Sequence, residues 1–147
     1  MTCLILLLSV TTKMYGATPP NTGINFENVI KDFITCHIKS DFRKFNVILD
    51  DEVCLKIPRG EKVSVNGKSS LIDFMKTCVG LSQGCKSNYV VTGESSAMVF
   101  ARVDFEYADW VQHNYIVLEK NPEKEWKITQ ICKINDRLVS NRLVNNQ

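Results

Sequence analysis

The residue types that could do chemistry here are few: two histidines, His37 and His113, six cysteines, and carboxylates spread along the chain. His113 has the most pointed setting. Ala108-Asp109 has the character of a two-residue hairpin turn, which pairs Tyr107 with Trp110. Counting back from that turn sets Asp104 opposite His113 and Arg102 opposite Tyr115. A carboxylate beside an imidazole can orient it as a general base, so His113 and Asp104 are the candidate acid–base pair. The competing reading is a polar cross-strand pair on a solvent or dimer face, worth a few tenths of a kcal/mol to about 1 kcal/mol. One extra residue in the turn would carry His113 to the other face of the sheet. His37 lies on a helix face near the core, where a hydrogen-bonded structural histidine is the simpler expectation.

The cysteines do not mark a metal site. No Cys-x-x-Cys occurs and the two histidines are far apart, so neither a metal nor a cofactor is expected. Beyond Cys3 stand Cys36, Cys54, Cys78, Cys85 and Cys132, an odd number that leaves at least one thiol unpaired within a chain. Cys78 and Cys85 flank a short glycine-containing loop, where a disulfide could close in an oxidising compartment. The simpler expectation is five small buried hydrophobes. Gly67-Lys68-Ser69 imitates the end of a phosphate loop, but Lys62 occupies the position of its first glycine. No Gly-x-Ser-x-Gly elbow supports a hydrolase triad. Glu106 and Asp109 add acids near Asp104 without marking a catalytic pair. Trp110, Tyr115 and Trp126 could line an apolar pocket, although strand aromatics more often serve a core or an interface.

These residues must be positioned by helices first and strands second. Phe26, Val29, Ile30, Phe33, Ile34 and His37 or Ile38 recur at helical spacing, predicting a helix over 25–39 with Asn25 as its N-cap. A shorter helix over 41–49 turns Phe42, Phe45 and Ile48 or Leu49 inward. A strand over 53–57 stops at Pro58-Arg59-Gly60 and returns over 61–65 as a hairpin arm. After Asn66-Gly67, Ser70 with Asp73 resembles a capping box for a third helix reaching residue 79. From Cys85 onward the pattern turns to β, with strands over 89–92, 97–107, 111–119 and 126–134. Helices followed by an antiparallel meander give an α+β class. Three helices laid on a strongly curved, mostly antiparallel sheet would make a cone with an interior cavity.

The chain has 147 residues, one domain's worth, and a domain near that size buries about 68–70% of its unfolded surface without needing a staple. Hydrophobic residues make up 44% and charged residues 23%, a balance that excludes a disordered chain. Lysine and arginine number 18 against 16 acids, so a net charge of +2 gives no reason to expect nucleic acid or an anionic membrane as partner. The apolar run over 3–10 is too short to span a bilayer and fits the core of a secretory signal, with Gly16 and Ala17 offering a cleavage site. No basic residue precedes that run, and Lys13 lies behind it. The expected organisation is a signal peptide over 1–17, a Pro-rich linker over 18–24, one domain over 25–135 and a tail over 136–147. With that signal the chain would be exported, periplasmic or secreted, and without it cytoplasmic; no stable membrane insertion is expected in either case.

Three motifs in this order carry a resemblance. Asp50-Asp51-Glu52-Val53 leads into Ile57-Pro58-Arg59-Gly60; Val65-Asn66-Gly67-Lys68 precedes a helix; Trp126-Lys127-Ile128-Thr129-Gln130 lies in the last strand. Together, over about 25–135, the chain resembles the nuclear-transport-factor-2-like (NTF2-like) superfamily, especially its SnoaL-like branch. The resemblance implies a cone with an open pocket and a homodimer formed across the sheet. Members include isomerases, polyketide cyclases, dehydratases and binding modules without catalysis, so fold does not fix function. The ketosteroid-isomerase-like members place a carboxylate base just before a Pro-x-Gly turn, where this chain has Ile57. Their oxyanion tyrosine on the first helix is matched by Phe33. Isoleucine cannot abstract a proton and phenylalanine has no hydroxyl to donate, so that mechanism lacks both parts.

The leading expectation is therefore a binder of a small apolar molecule in the cone, without turnover, lined by Phe33, His37, Ile57, Tyr115 and Trp126. An acid–base lyase, cyclase or isomerase using His113 and Asp104 is the second reading, and it requires both side chains to converge inside the cavity. A protein-interaction module working through an exposed apolar sheet face is the third.

Overall fold

The computed structural model describes residues 25–138. The apolar N-terminal run, the linker and the chain beyond residue 138 lie outside the described residues, and with them the signal-peptide reading.

Helix α1 (Phe26–Lys39) opens on Asn25, whose side chain accepts a hydrogen bond from the Glu27 amide, and it buries Val29, Ile30, Phe33 and Cys36 along one stripe. It ends at Ser40 in the left-handed region, φ 54°, a conformation that costs a side-chain-bearing residue about 1–2 kcal/mol. The buried Ser40 hydroxyl donates to the Leu81 carbonyl at 3.1 Å, and the Gln83 amide donates to the Ile38 carbonyl at 2.8 Å. These two bonds tie the loop after α3 to the end of α1. Helix α2 (Phe42–Ile48) is capped by Asp41 and buries Phe45 and Ile48.

Helix α3 (Lys68–Thr77) differs from the sequence expectation at its start. Its N-cap is Gly67, with no side-chain capping bond, and Asp73 instead holds Lys76 Nζ at 3.0 Å. The chain leaves the preceding strand at Asn66 and turns directly into the helix. Ser70 therefore lies inside the first turn, too late to cap it.

Six strands follow the order β2-β1-β6-β5-β4-β3 in a curved, unclosed sheet. They are β1 (Leu49–Arg59), β2 (Lys62–Asn66), β3 (Lys86–Glu94), β4 (Met98–Glu106), β5 (Trp110–Lys120) and β6 (Trp126–Arg137). Strands β3 to β6 form the expected meander, and β6 closes onto β1 by the one parallel pairing. Strand β6 runs past 134 through Arg137, so the first residues assigned to the tail are sheet. In the β1–β2 hairpin Gly60 takes φ 63°, which a glycine reaches without strain.

The β4–β5 hairpin has the register read from the sequence. The Tyr107 amide bonds the Trp110 carbonyl, Asp104 pairs with His113, and Arg102 with Tyr115. Val99, Ala101, Val103 and Phe105 are all buried, so the odd positions of β4 face the helices. Across the hairpin they meet Leu118, Ile116, Asn114 and Gln112. In β6, Val117 pairs with Gln130 but Leu118 with Ile128, leaving Thr129 as a bulged residue. Trp126 and Ile128 are buried before the bulge, and Ile131 after it; the inward parity has switched from even to odd numbers.

Candidate functional site: the cone cavity

Between the helices and the inner face of the sheet lies a cavity of about 510 Å³. One wall is apolar: Phe33 of α1, Phe45 of α2, and Leu71, Phe74 and Met75 of α3. The β1–β2 hairpin adds Leu55, Ile57 and Arg59 from β1 and Ser64 and Asn66 from β2. The floor is polar. Gln112 pairs across from Asn135 and Asn114 across from Lys133, so adjacent strands set these four side chains in a square on the inner face. Gln112 Nε2 donates to Asn114 Oδ1 at 3.3 Å, and Asn114 Nδ2 donates to the Val103 carbonyl at 3.3 Å. Among the described residues no Asp or Glu lines the cavity. The helical wall is thus apolar and the sheet floor polar.

His37 joins the two walls. Its ring stacks on Phe105 with centroids 3.8 Å apart, and Nε2 lies 2.8 Å from Tyr107 Oη. Tyr107 Oη in turn donates to Gln83 Oε1 at 3.5 Å and its ring stacks on Trp110 at 4.2 Å. Burial, helped by the nearby charge of Lys133, pulls the His37 pKa down from 6.5 to about 4. Burial, with the Cys85 thiol beside it, pushes the Tyr107 hydroxyl up to about 12. Both rings are therefore neutral near neutral pH. His37 is the satisfied histidine expected from the sequence, and it also lines the cavity. Lys133 is drawn below its ordinary 10.5 by burial.

Phe33 and Ile57 line the cavity as expected. Tyr115 and Trp126 do not. Tyr115 alternates onto the outer face of β5 and is 44% exposed. Trp126 packs edge-on against Phe26, ring centroids 5.8 Å apart, at the opposite end of α1 from His37. His113 and Asp104 do converge, with Nδ1 and Oδ1 2.7 Å apart. They do so on the outer face, because the apolar residues of β4 take the odd positions and leave Asp104 outside. The convergence inside the cavity that an acid–base site needs is absent. Cys78 and Cys85 are free thiols; Cys36 is buried while Cys54, Cys78, Cys85 and Cys132 are half-buried. Among the described residues no group of three His, Cys, Asp or Glu is placed to hold a metal ion, and no helix is long and apolar enough to cross a membrane.

Sequence reasoning missed Gln112, Asn114, Lys133 and Asn135. A signal for the first two was present: once the hairpin register is set, the apolar odd positions of β4 force Gln112 and Asn114 inward. Nothing comparable marked Lys133, since strict alternation from Trp126 and Ile128 puts it outside.

No protein-family model and no curated protein matches the chain in sequence. Solved structures do match it. One is an NTF-2-like protein of unknown function from Silicibacter pomeroyi, with a TM-score of 0.62 and 8% identity over 76% of this chain and 92% of that one. An NTF2-like protein of unknown function from Shewanella baltica gives 0.64 and 13%, over 75% of this chain and 90% of its own. A ketosteroid isomerase-like protein from Erwinia carotovora atroseptica gives 0.59 and 16%, over 76% and 92%. At such identities the likeness is one of architecture, and three helices on a curved, unclosed six-stranded sheet give this chain the nuclear-transport-factor-2-like fold.

Proposed function

We propose that this protein binds a small, largely apolar molecule in the cone cavity and does not turn it over. The observation that carries the reading is the cavity itself: about 510 Å³, within the roughly 300–1,000 Å³ of small-molecule sites, and walled by apolar side chains of all three helices. Both positions that isomerase-like chemistry would use, Ile57 and Phe33, face this cavity and are inert. His113 and Asp104, the other candidate pair, lie across the sheet from it. The neutral dye N-phenyl-1-naphthylamine tests the reading. It should bind saturably, one per chain, with an affinity that Ile57→Trp weakens by narrowing the cavity. Bound and released dye or ligand should be chemically identical by mass spectrometry. Absence of saturable binding, or dye binding indifferent to Ile57→Trp, sinks the proposal.

The outer face of the sheet supports a second element of the proposal, a homodimer formed across it. Val90, Phe100, Tyr115 and Ile134, on four successive strands, are each 41–46% exposed around the Arg102–Asp104–His113 cluster. An apolar patch with a polar centre is the composition of a subunit interface. The same face would serve an interaction with an unrelated protein, the outcome if the chain proves monomeric.

A further inference from the structure

We infer that the molecule bound in the cone carries an anionic head on its apolar body, a carboxylate, with Lys133 as the counter-charge; the inference rests on the small-molecule reading above. Among the described residues Lys133 forms no ion pair. No buried side-chain nitrogen or oxygen there is sealed without a partner, so its unpaired amine opens onto the cavity that it lines. Among the described residues the cavity offers that amine no acid. The other titratable groups around it are Arg59 of β1, itself a cation, His37 of α1, held neutral, and Cys78 at the end of α3.

An ammonium group taken from water without an opposite charge is costly, and the downward pull on Lys133 is the mark of that cost. A carboxylate entering the cavity supplies the missing charge and accepts the hydrogen bonds that the amine lacks. Next to Lys133, the amide chain from Gln112 to Asn114 to the Val103 carbonyl fixes the orientation of Gln112. That leaves the second hydrogen of Gln112 Nε2 as a donor for the other carboxylate oxygen. Opposite the floor, Phe45, Leu71, Phe74 and Met75 form the surface for an alkyl or aryl body. A head-to-tail polarity is thus built into the cavity: cation and amides on the sheet, hydrocarbon on the helices.

Calorimetry with two ligands of matched length, octanoate and 1-octanol, separates this inference from the reading it rests on. At neutral pH the wild-type chain should bind octanoate about tenfold more tightly than 1-octanol. Lys133→Met should bind the two equally. In the wild type, the preference should fade as the pH rises from neutrality, before the ordinary lysine range is reached, and this needs no variant. Equal binding of the two by the wild type, a preference that survives in a folded Lys133→Met, or one unchanged into the ordinary lysine range overturns the anionic head and leaves the cavity reading intact. Failure of octanoate, 1-octanol and the neutral dye alike overturns both.

Discussion

His113 Nδ1 lies 2.7 Å from Asp104 Oδ1 across the β4–β5 hairpin, on the face of the sheet turned away from the cavity. Arg102 Nε holds the second Asp104 oxygen at 3.2 Å, and Asp136 Oδ2 stands 3.4 Å from His113 Nε2. The pair is thus one link in a polar row crossing β4, β5 and β6, across the sheet from the cavity. His113→Ala should leave the affinity for 1-octanol unchanged. It should lower stability by about 1 kcal/mol, since Arg102 remains to pair Asp104. Urea unfolding and calorimetry on the variant check both; a loss of ligand binding would return His113 to the site.

Protonation of His37 sets a pH limit on the fold. Its folded pKa of about 4 lies below the ordinary 6.5, so between these values the unfolded chain takes up a proton that the folded chain refuses. The stability linked to His37 is therefore complete above about 6.5 and is lost progressively as the pH falls toward 4, about 3 kcal/mol in all. His37→Gln, which keeps a polar group facing Tyr107, should show a urea midpoint that falls less steeply over this range than the wild type. Parallel curves for the two proteins would contradict the assignment.

The difference between what the sequence announced and what it hid comes down to strand parity. Turn chemistry at Ala108-Asp109 set the β4–β5 register correctly, and the helical stripe from Phe26 to Ile38 set α1. Register alone does not say which face of a strand looks inward. That information lay in Val99, Ala101, Val103 and Phe105, whose apolar alternation sends His113 outward along with Asp104. In β6 even this logic breaks down. The bulge at Thr129 inverts the alternation, exposing Ile134 and turning Lys133 into the cavity, and a bulge is a property of paired strands that one strand's sequence does not display. The parallel β1–β6 pairing was likewise illegible, because its partners are far apart in the chain.

If the outer face joins two copies, charge placed there should separate them without reaching the cavity. Phe100 and Tyr115 flank the polar centre of that face on neighbouring strands. The double variant Phe100→Lys, Tyr115→Lys should sediment as a monomer where the wild type sediments as a dimer, with 1-octanol binding retained. A wild-type chain already monomeric at high concentration would transfer this surface to a different protein partner.

The thiols report on both faces at once. Burial, reinforced by Asp41 and Asp32, pushes the Cys36 thiol up to about 12, so it holds its proton, and its place on the buried face of α1 shields it from reagents. Cys78 lines the cavity, whereas Cys54 and Cys132 alternate onto the outer face beside Gln130 and Tyr115. With iodoacetamide at mildly alkaline pH, peptide mass spectrometry should find Cys36 unmodified in the native protein. Adding 1-octanol should slow alkylation of Cys78 while Cys54 and Cys132 react at their former rates, because an occupied cavity blocks one thiol and leaves the others alone. Protection spread equally over Cys78, Cys54 and Cys132 would instead mean that the alcohol acts on the outer face, and Cys36 reacting as fast as the rest would mean that the helical wall opens in solution.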